Sequence, residues 1–468
     1  MKEQAFVTEE EIKRQRDFIK SVRLLNKDKN KRACIVTYGC AQNETDSDKL
    51  YGMLEEMGFI KSDDEKESDV IIFNTCSVRE NAEVKVYGKV GALKAKKAKN
   101  PDMIIGVCGC LMQQEHAAEK IKKQYKFVDL VFGTHALYKF PELLFGVIHD
   151  KKRIFDNETQ DGRIAEGLPI IYNSSHKASV PIAYGCNNFC TYCVVPHTRG
   201  RERSRKSEDI LNEIRTLSKN GLKEVTLLGQ NVNSYGNDRE NELDFPDLLL
   251  KIAEIPEIKR IRFMTSHPKD LTDKLIDVIA GSDKICKYLH LPFQAGNSRV
   301  LKEMNRKYTR EDYLALIDKI KAKIPDIALS SDVIVGFPGE TTEEFYDTLS
   351  LVEKVRFDTL FTFIYSPRKD TRAALFPDPM PYEQKLKNFN ELLELQNRIS
   401  KEINDTYLGR EYLIFDEGLS RTNKEMRCGR TDTNKIINYK PKSRISEGDS
   451  VMVRVTECMT WSLNGEEI

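Results

Sequence analysis

The stretch VPIAYGCNNFCTYC, residues 180–193, joins a short apolar run to a loop that carries Cys186, Cys190 and Cys193. The apolar run predicts a buried strand, and the C-x-x-x-C-x-x-C spacing places three thiols on one loop. Three thiolates can bind three irons of a 4Fe-4S cube and leave the fourth iron open. A structural zinc site is the alternative, but such sites are closed by a fourth protein ligand, and none is evident nearby. We therefore predict an iron-sulfur cluster here.

The chain after this loop alternates strands and helices as far as residue 404. Apolar runs predict five further strands, at 224–228, 260–264, 288–291, 328–335 and 359–364, and periodic stretches predict helices at 207–219, 310–323 and 343–355. Consecutive βα units of this kind predict a TIM-like (β/α) barrel, partial or complete, over residues 176–404. The cysteine loop follows the first strand, at the end of the barrel where active sites lie.

Upstream, residues 33–150 show a second alternation, with strands predicted at 33–38, 70–74, 103–107 and 128–132. This pattern predicts an α/β domain with a doubly wound parallel sheet. Cys40, Cys76 and Cys110 each follow one of these strands. Because the carboxyl ends of neighbouring parallel strands meet at one edge, we expect the three thiols to lie together and hold a second cluster. The alternative is three unrelated thiols packed in turns.

The flanking segments are simpler. Residues 1–32 predict an extension with a short helix, loosely attached, and residues 151–175 predict a linker. After a long helix from 382 to about 404, residues 405–468 carry short β-like runs separated by turn residues, which predict a small antiparallel β-barrel. The other five cysteines are interpreted as core or inert thiols: Cys34, Cys108, Cys286, Cys428 and Cys458.

Composition limits the class of protein. The chain has 468 residues, 40% apolar and 31% charged, with no apolar run long enough to span a bilayer and a charged amino terminus. We therefore expect a soluble cytoplasmic protein, in which 11 cysteines indicate metal or redox chemistry rather than disulfides. The net charge of +1 means that any nucleic-acid contact must come from local basic patches.

The cysteine loop YGCNNFCTYC resembles that of the radical S-adenosylmethionine (SAM) enzymes. Over residues 33–468 the chain is similar to their methylthiotransferase branch, in the motifs VTYGCAQNETDSD, FNTCSVRENAE, CGCLMQQ, PHTRGRERSR, LLGQNVNSYG, TSHP, HLPFQAG, SDVIVGFPGET and FTFIYSPRKDTRAA. The motifs NTCSVRENAEVKVYG, RGRERSR and GQNVNSYG, with the amino-terminal extension, resemble in particular the bacterial members that act on N(6)-isopentenyladenosine beside the tRNA anticodon. One departure is Ala295, where the family usually has Ser.

This resemblance implies a radical SAM barrel, an amino-terminal domain with an auxiliary 4Fe-4S cluster, and a carboxyl-terminal RNA-binding barrel of the TRAM type. Cys186, Cys190 and Cys193 would hold the radical-generating cluster, and Cys40, Cys76 and Cys110 the auxiliary one. The implied reaction adds a methylthio group to carbon 2 of the adenine, with SAM as cofactor and no catalytic residue assigned beyond the cluster ligands.

Polar residues at the carboxyl ends of the barrel strands are where a barrel binds its ligand. We expect the following residues to contact SAM: Gln230, Asn231, Ser266, His267, Gln294, Ser331, Asp332, Gly336 and Tyr365. Each of them is also a residue type that caps helices or forms turns.

Two basic stretches are candidates for RNA contact. The first follows the cysteine loop and contains Arg199, Arg201, Arg203 and Arg205, and the second, residues 419–444, carries eight basic and two acidic residues. Segregated charge of this kind fits phosphate positioning, although a charge run is often only a solvated face. The basic residues of the second stretch are Arg421, Lys424, Arg427, Arg430, Lys435, Lys440, Lys442 and Arg444.

The implied partners are the tRNA anticodon stem-loop, a low-potential electron donor and a protein that supplies sulfur or clusters, and we expect a monomer. The alternatives keep the chemistry and change the substrate, to threonylcarbamoyl-adenosine in tRNA or an aspartate of a ribosomal protein. A non-catalytic electron carrier would not need the open-iron loop on a barrel, and a plain methyltransferase would need neither cluster.

Overall fold

The computed structural model describes residues 6–78, 80–157, 162–421 and 423–468. Arg79 of the NTCSVRENAE motif, Thr422 of the second basic stretch, residues 1–5 of the extension and residues 158–161 of the predicted linker lie outside the described residues. The chain forms two compact units. The first comprises Met1–Asn173, Ala183–Asn187 and Cys193–Arg205, and the second comprises Ser174–Ile182, Asn188–Tyr192 and Lys206–Ile468.

A six-stranded sheet runs through the first unit. Its strands are β1 (Arg32–Tyr38), β2 (Ile60–Lys61), β3 (Val70–Thr75), β4 (Ile104–Gly109), β5 (Leu130–Phe132) and β6 (Ile154–Asp156). All neighbouring strands are parallel, in the order β2-β1-β3-β4-β5-β6. Every residue of β3 and β4 is buried, as expected for strands covered on both faces.

Helices cover both faces of this sheet. They are α1 (Glu9–Asn26), α2 (Ala41–Glu56), α3 (Glu80–Ala92), α4 (Lys94–Lys99), α5 (Glu115–Gln124) and α6 (Phe140–Asp150), with a 3-10 helix at Thr134–Lys139. Alternate strand residues enter two separate cores: Ile72 packs with α1, α2 and α6, and Ile71 and Phe73 pack with α3 and α5. The predicted doubly wound sheet is therefore confirmed.

Two elements of the first unit differ from the sequence prediction. Helix α1 is 18 residues long, and its Ile19 and Val22 are buried in the core beside α2 and α6, so the expectation of a short, loosely attached helix is wrong. Strand β6 lies within the predicted linker and pairs with β5. A strand of three residues is too short to show the period-2 pattern that identifies strands in a sequence.

A partial parallel barrel forms the core of the second unit. The elements after β6 are β7 (Lys177–Pro181), β8 (Ala183–Tyr184), β9 (Arg203–Ser204), β10 (Glu224–Leu228), β11 (Arg260–Phe263), β12 (Tyr288–His290), β13 (Ala328–Val335) and β14 (Thr359–Ile364). The parallel sheets β11-β10-β7 and β12-β13-β14 are joined by backbone bonds from Ile261 N to Lys284 O (2.8 Å) and from Cys286 N to Ile261 O (3.0 Å). Six strands, β7 and β10 to β14, thus form the partial barrel predicted from the sequence.

The predicted first barrel strand is split in the structure. Its first part belongs to β7, and its end forms β8, which pairs antiparallel with β9 in the first unit. The remaining helices are α7 (Val195–Thr198), α8 (Ser207–Lys219), α9 (Phe245–Ala253), α10 (Asp273–Gly281), α11 (Ser298–Glu303), α12 (Arg310–Lys323), α13 (Thr342–Val355) and α14 (Tyr382–Asp405). Short 3-10 helices lie at Val232–Ser234, Pro268–Asp270 and Arg372–Leu375.

A small closed β-barrel ends the second unit. Its strands are β15 (Glu411–Leu419), β16 (Arg427–Arg430), β17 (Ile436–Lys440), β18 (Ser450–Cys458) and β19 (Leu463–Glu467), in the order β15-β16-β17-β19-β18. All pairs are antiparallel except β17 with β19. The predicted small antiparallel barrel is confirmed with one parallel pair, because β18 turns back beside β15 and leaves β19 to close the barrel alongside β17.

Two arginines of β11, Arg260 at its first position and Arg262 at its third, attach the small barrel. Arg260 donates to Arg430 O (2.7 Å) and Leu413 O (2.5 Å), and Arg262 donates to Thr431 O (2.7 Å). The small barrel therefore contacts the parallel barrel at the end opposite the carboxyl ends of its strands.

Among the described residues, no helix is long and apolar enough to cross a bilayer.

Candidate functional site

Three cysteines lie at the carboxyl edge of the sheet in the first unit. Cys40, Cys76 and Cys110 follow β1, β3 and β4, which are adjacent in the sheet. The Asn43 side chain lies between two of them: Cys40 Sγ donates to Asn43 Oδ1 at 3.4 Å, and Asn43 Nδ2 lies 4.0 Å from Cys110 Sγ. The topology brings the three thiols to one edge, as the strand order requires.

This edge disfavours thiolates unless a cation is present. Burial raises the pKa of Cys110 to about 12, the Arg199 guanidinium opposes that rise, and the neighbouring Cys76 and Cys40 add to it. A metal ion deprotonates the thiols that bind it. Three thiolates at this edge therefore fit a positively charged metal group.

Two polar side chains next to these cysteines have no hydrogen-bond partner within the described part of the chain. They are the buried amide of Gln42 and the buried hydroxyl of Ser77, which lie close in sequence to Cys40 and Cys76. A buried polar group without a partner costs about 1–3 kcal/mol. Such groups fit a site that is completed by a polar guest, as an iron-sulfur cluster with its bridging sulfides would be.

Across the described ranges, no group of three His, Cys, Asp or Glu side chains is arranged to hold a single metal ion. A cubane differs from such an ion because each of its thiolates binds a different iron. Its ligands therefore lie around the cluster rather than around one atom.

The cysteine loop at residues 186–193 begins at a constrained turn. Gly185 has a φ of +77°, and a Cβ there would lie 2.5 Å from Gly200 O, so this position requires glycine. Cys186 N donates to Gly200 O at 3.2 Å. The three cysteines of the loop are partly exposed, which leaves them accessible to a cluster.

Arg306 is a neighbour of this loop that sequence reasoning missed. Its buried guanidinium donates to Pro292 O (2.6 Å), to the Tyr308 hydroxyl (2.8 Å) and to Cys190 Sγ (3.5 Å). It places a positive charge beside a predicted cluster ligand. No local motif marks Arg306, because it lies 116 positions from Cys190 in the sequence.

Several residues predicted to bind SAM have unpartnered polar atoms. Asn231 Oδ1, Ser266 Oγ and the Tyr365 hydroxyl are buried without a hydrogen-bond partner in the part of the chain that the structure describes, while Asn231 Nδ2 donates to Asp270 (2.7 Å). Sequence reasoning missed Asn233, whose two amide atoms are also buried and unpartnered among the described residues. The sequence feature that points to Asn233 is its position in the QNVN segment after β10.

The other predicted cofactor residues occupy different environments. Burial lowers the pKa of His267 to about 2, with Arg306 and Lys269 adding to the effect, so its imidazole is neutral. Gln294 and Gly336 adopt φ values of +70°, and Gln230 is partly buried.

Two of the residues predicted to bind the cofactor lie on β13, in different environments. Ser331 accepts from Phe293 N (2.9 Å) and donates to Leu291 O (3.0 Å), so its hydroxyl joins backbone segments. Ser331 therefore has a structural role, and its contact with the cofactor stays a prediction. Asp332 is partly exposed and lies 3.5 Å from His290 Nε2.

The arginines after the cysteine loop divide into two groups. Arg199 and Arg205 are buried and ion-paired with Asp46 (2.7 Å) and Glu166 (2.6 Å). The expectation that these two contact RNA is not supported by their positions, because their guanidiniums face protein carboxylates. Arg201 is exposed, and Arg203, partly buried, donates to Arg199 O (2.9 Å) and Arg201 O (2.6 Å).

The second basic stretch also divides. Four of its cations pair with carboxylates: Arg427 with Asp416, Arg430 with Glu417, Lys435 with Asp358, and the more exposed Lys442 with Glu466 at 3.8 Å. The exposed ones are Arg421, Lys424, Lys440, Lys442 and Arg444. The exposed set is therefore the candidate for phosphate contact.

The fold and the three-cysteine loop on the barrel define a protein of the radical SAM class. The family model of the Radical SAM superfamily matches residues 180–352, and that of the uncharacterized protein family UPF0004 matches residues 32–133. The radical SAM methyltransferase TsrM from Kitasatospora setae shares the fold, with a TM-score of 0.53 at 13% identity over 74% of this chain and 77% of that chain.

Relatives of known name match almost the whole chain. The tRNA-2-methylthio-N(6)-dimethylallyladenosine synthase of Acetivibrio thermocellus is 53% identical over 98% of this chain and 97% of the relative. The synthase of the same name from Alkaliphilus oremlandii is 51% identical over 99% of this chain and 98% of the relative. This chain therefore belongs to the tRNA-2-methylthio-N(6)-dimethylallyladenosine synthase family.

Proposed function

We infer that this enzyme adds a methylthio group to carbon 2 of N(6)-dimethylallyladenosine, also called N(6)-isopentenyladenosine, next to the anticodon of tRNA. The observation that carries this proposal is the pair of three-cysteine sites, one on the barrel loop and one at the carboxyl edge of the amino-terminal sheet. The C–H at carbon 2 is neither acidic nor electrophilic enough for acid-base or nucleophilic substitution. Two cluster sites match a reaction that needs both a radical source and a sulfur carrier.

Each site has an assigned role. Cys186, Cys190 and Cys193 would hold a 4Fe-4S cluster whose open iron binds SAM, and Cys40, Cys76 and Cys110 would hold a second cluster that carries the sulfur. With SAM bound and one electron from an external donor, the first cluster would supply the radical chemistry that the reaction at carbon 2 needs.

The protein groups position and shield this chemistry. Asn231, Ser266 and Tyr365 have buried hydrogen-bonding atoms unpartnered among the described residues, and in our proposal these atoms bind the polar groups of SAM. Arg306 keeps a positive charge 3.5 Å from Cys190 Sγ, beside a predicted ligand of the cluster. Asp332 and Gly336 complete the predicted cofactor site, with Gln230, His267 and Gln294.

The remaining components follow from the reaction. The small barrel binds the tRNA backbone through its exposed cations, an external low-potential protein supplies electrons, and another protein renews the sulfur. The enzyme works as a monomer in the cytoplasm.

The test is made in a host strain that lacks the gene. Its tRNA is digested, and the modified nucleosides are measured by mass spectrometry after complementation with wild type, Cys40→Ala, Cys186→Ala or the core control Cys286→Ala. Wild type and the control restore the 2-methylthio-isopentenyl nucleoside, whereas the two ligand variants leave its unthiolated precursor.

Other results would overturn the assignment. If the threonylcarbamoyl nucleoside alone loses its methylthio group, the substrate is wrong while the chemistry stands. If no nucleoside responds, an aspartate of a ribosomal protein becomes the substrate to examine. Full restoration by Cys40→Ala would remove the second cluster from the mechanism.

A further inference from the structure

Arg199 is buried against helix α2, which begins directly after the first of the three cysteines of the first unit. Its side chain is 7% exposed, and Nη2 lies 2.7 Å from Oδ2 of Asp46, whose side chain is 6% exposed. Asp46 lies on α2, the helix that begins directly after Cys40. The ion pair is therefore built into the same helix terminus as one of the cysteines.

The pair lies one helical turn beyond a side chain that contacts two of the thiols. Asn43, three residues before Asp46 on α2, accepts from Cys40 Sγ at 3.4 Å, and its Nδ2 lies 4.0 Å from Cys110 Sγ. Arg199 and Asp46 both interact electrostatically with Cys110, and their charges have opposite signs. Cys40 and Cys110 in turn interact with the guanidinium. Arg199 and Asp46 thus oppose one another at a common target.

Neighbouring bonds fix the position of Arg199. Its backbone N–H donates to Val195 O (2.8 Å), and its carbonyl accepts from Arg203 Nη2 (2.9 Å). The preceding carbonyl, of Thr198, accepts from the Thr134 hydroxyl (2.5 Å). These bonds fix the backbone of Arg199, and the Asp46 carboxylate holds its guanidinium.

Stability alone does not explain a buried ion pair, because desolvation of the two charges cancels most of their attraction. A cluster beside the pair changes this balance. Three thiolates on a 4Fe-4S core give a net negative group, and reduction adds one more negative charge. A fixed cation nearby favours the reduced form and raises the reduction potential, since local charge is one of the determinants of cluster potential.

We propose that Arg199 is a positioning residue that raises the reduction potential of the auxiliary cluster held by Cys40, Cys76 and Cys110, and that Asp46 orients Arg199 and moderates its charge. This rests on the second cluster of the proposed function. In this role Arg199, which the sequence predicted to contact RNA, acts on the cluster through its charge instead.

The test measures the potential of this cluster alone. In the full chain, Cys186, Cys190 and Cys193 are replaced by Ala, the protein is reconstituted anaerobically, and the remaining cluster is titrated by EPR against solution potential. Into this parent we introduce Arg199→Gln or Asp46→Asn, with Arg201→Gln as a control on an exposed arginine of the same segment.

The two variants should move the potential in opposite directions. Arg199→Gln lowers it by at least a tenfold change in the reduction equilibrium, which is 59 mV for one electron, and Asp46→Asn raises it. Arg201→Gln leaves it at the parent value. A purely structural pair would instead give both variants the same effect, loss or loosening of the cluster.

The outcomes separate the two proposals. Shifts of the same sign, or no shift at full iron content, overturn the role of Arg199 while the second cluster stands. A parent protein without a cluster overturns the second cluster and this role together. If Arg199→Gln does not retain iron, two other variants test the role of Arg199. Arg199→Lys, which keeps the charge, must keep the parent potential, and Asp46→Asn must raise the potential.

Discussion

At the scale of single residues, the carboxyl group of Glu340 introduces a dependence of stability on pH. Glu340 is 3% exposed, and its Oε2 accepts from Gly336 N at 2.6 Å. Burial raises its pKa to about 7, although the N–H groups of Gly336 and Phe337 act in the opposite direction. A folded pKa above the unfolded value means that the protonated carboxyl stabilises the fold, and this contribution is lost as the pH rises from about 4.5 through 7.

We expect Glu340→Gln, which keeps an acceptor without the charge, to gain stability relative to wild type between pH 5 and pH 8. The gain is on the order of 3 kcal/mol at most, at 1.36 kcal/mol per pKa unit. It is measured by urea unfolding followed through Trp461, the single tryptophan, which belongs to the same unit.

The matched control for this prediction is Glu344→Gln. The hydrogen bond from Arg299 lowers the pKa of Glu344, so its contribution is present above the unfolded pKa and is lost only in acid. The loss of stability caused by Glu344→Gln is expected to stay constant from pH 6 to pH 8. A Glu340→Gln profile that runs parallel to this control would show that Glu340 is ionised throughout.

At the scale of elements, the approach of β4 to β3 depends on Gly109. Its φ is +95°, and a Cβ there would lie 2.6 Å from Thr75 O and 2.7 Å from Thr75 N. We expect Gly109→Ala to destabilise the first unit by about 3 kcal/mol, from the left-handed backbone and the overpacking together. Because Cys110 is the next residue, the variant should also lose iron from that unit.

Gly88 of α3 provides the comparison. A Cβ there meets nothing within 4 Å, and glycine inside a helix is less stable than alanine by about 0.5–1 kcal/mol, so Gly88→Ala should stabilise the unit slightly and retain iron. Circular dichroism in urea and an iron assay measure both variants. Equal unfolding midpoints and iron contents would show that the close contact at Gly109 is not required.

The elements also explain how much of the site was predictable. Cysteines that follow buried strands could be placed at one edge from the sequence, because parallel strands share a direction and adjacent ends converge. Arg199 could not be assigned its environment, since its partner Asp46 lies 153 positions away. Strand β6 and the parallel pairing of β17 with β19 were missed for a related reason, because pairing partners are not encoded in local periodicity.

At the scale of the whole molecule, charge is distributed so that a nearly neutral chain retains a basic surface. The net charge is +1, and in the small barrel Arg427, Arg430 and Lys435 are paired with carboxylates. The other basic residues of the second basic stretch, residues 419–444, are exposed. The electrostatic contribution to tRNA binding should therefore come from those exposed residues rather than from the stretch as a whole.

We expect replacement of Lys440, Lys442 and Arg444 by Gln to weaken tRNA binding, most strongly at low salt. Each phosphate contact contributes about one unit to the slope of log K against log salt concentration, so the slope should fall by about two to three. The control replaces Lys20, Lys27 and Lys29, which are exposed in the first unit, and removes the same formal charge. Fluorescence anisotropy with an anticodon stem-loop at several salt concentrations gives both slopes. Equal loss in the two triple variants would mean that net charge alone governs binding, and an unchanged slope in the first would remove this surface from the RNA interface.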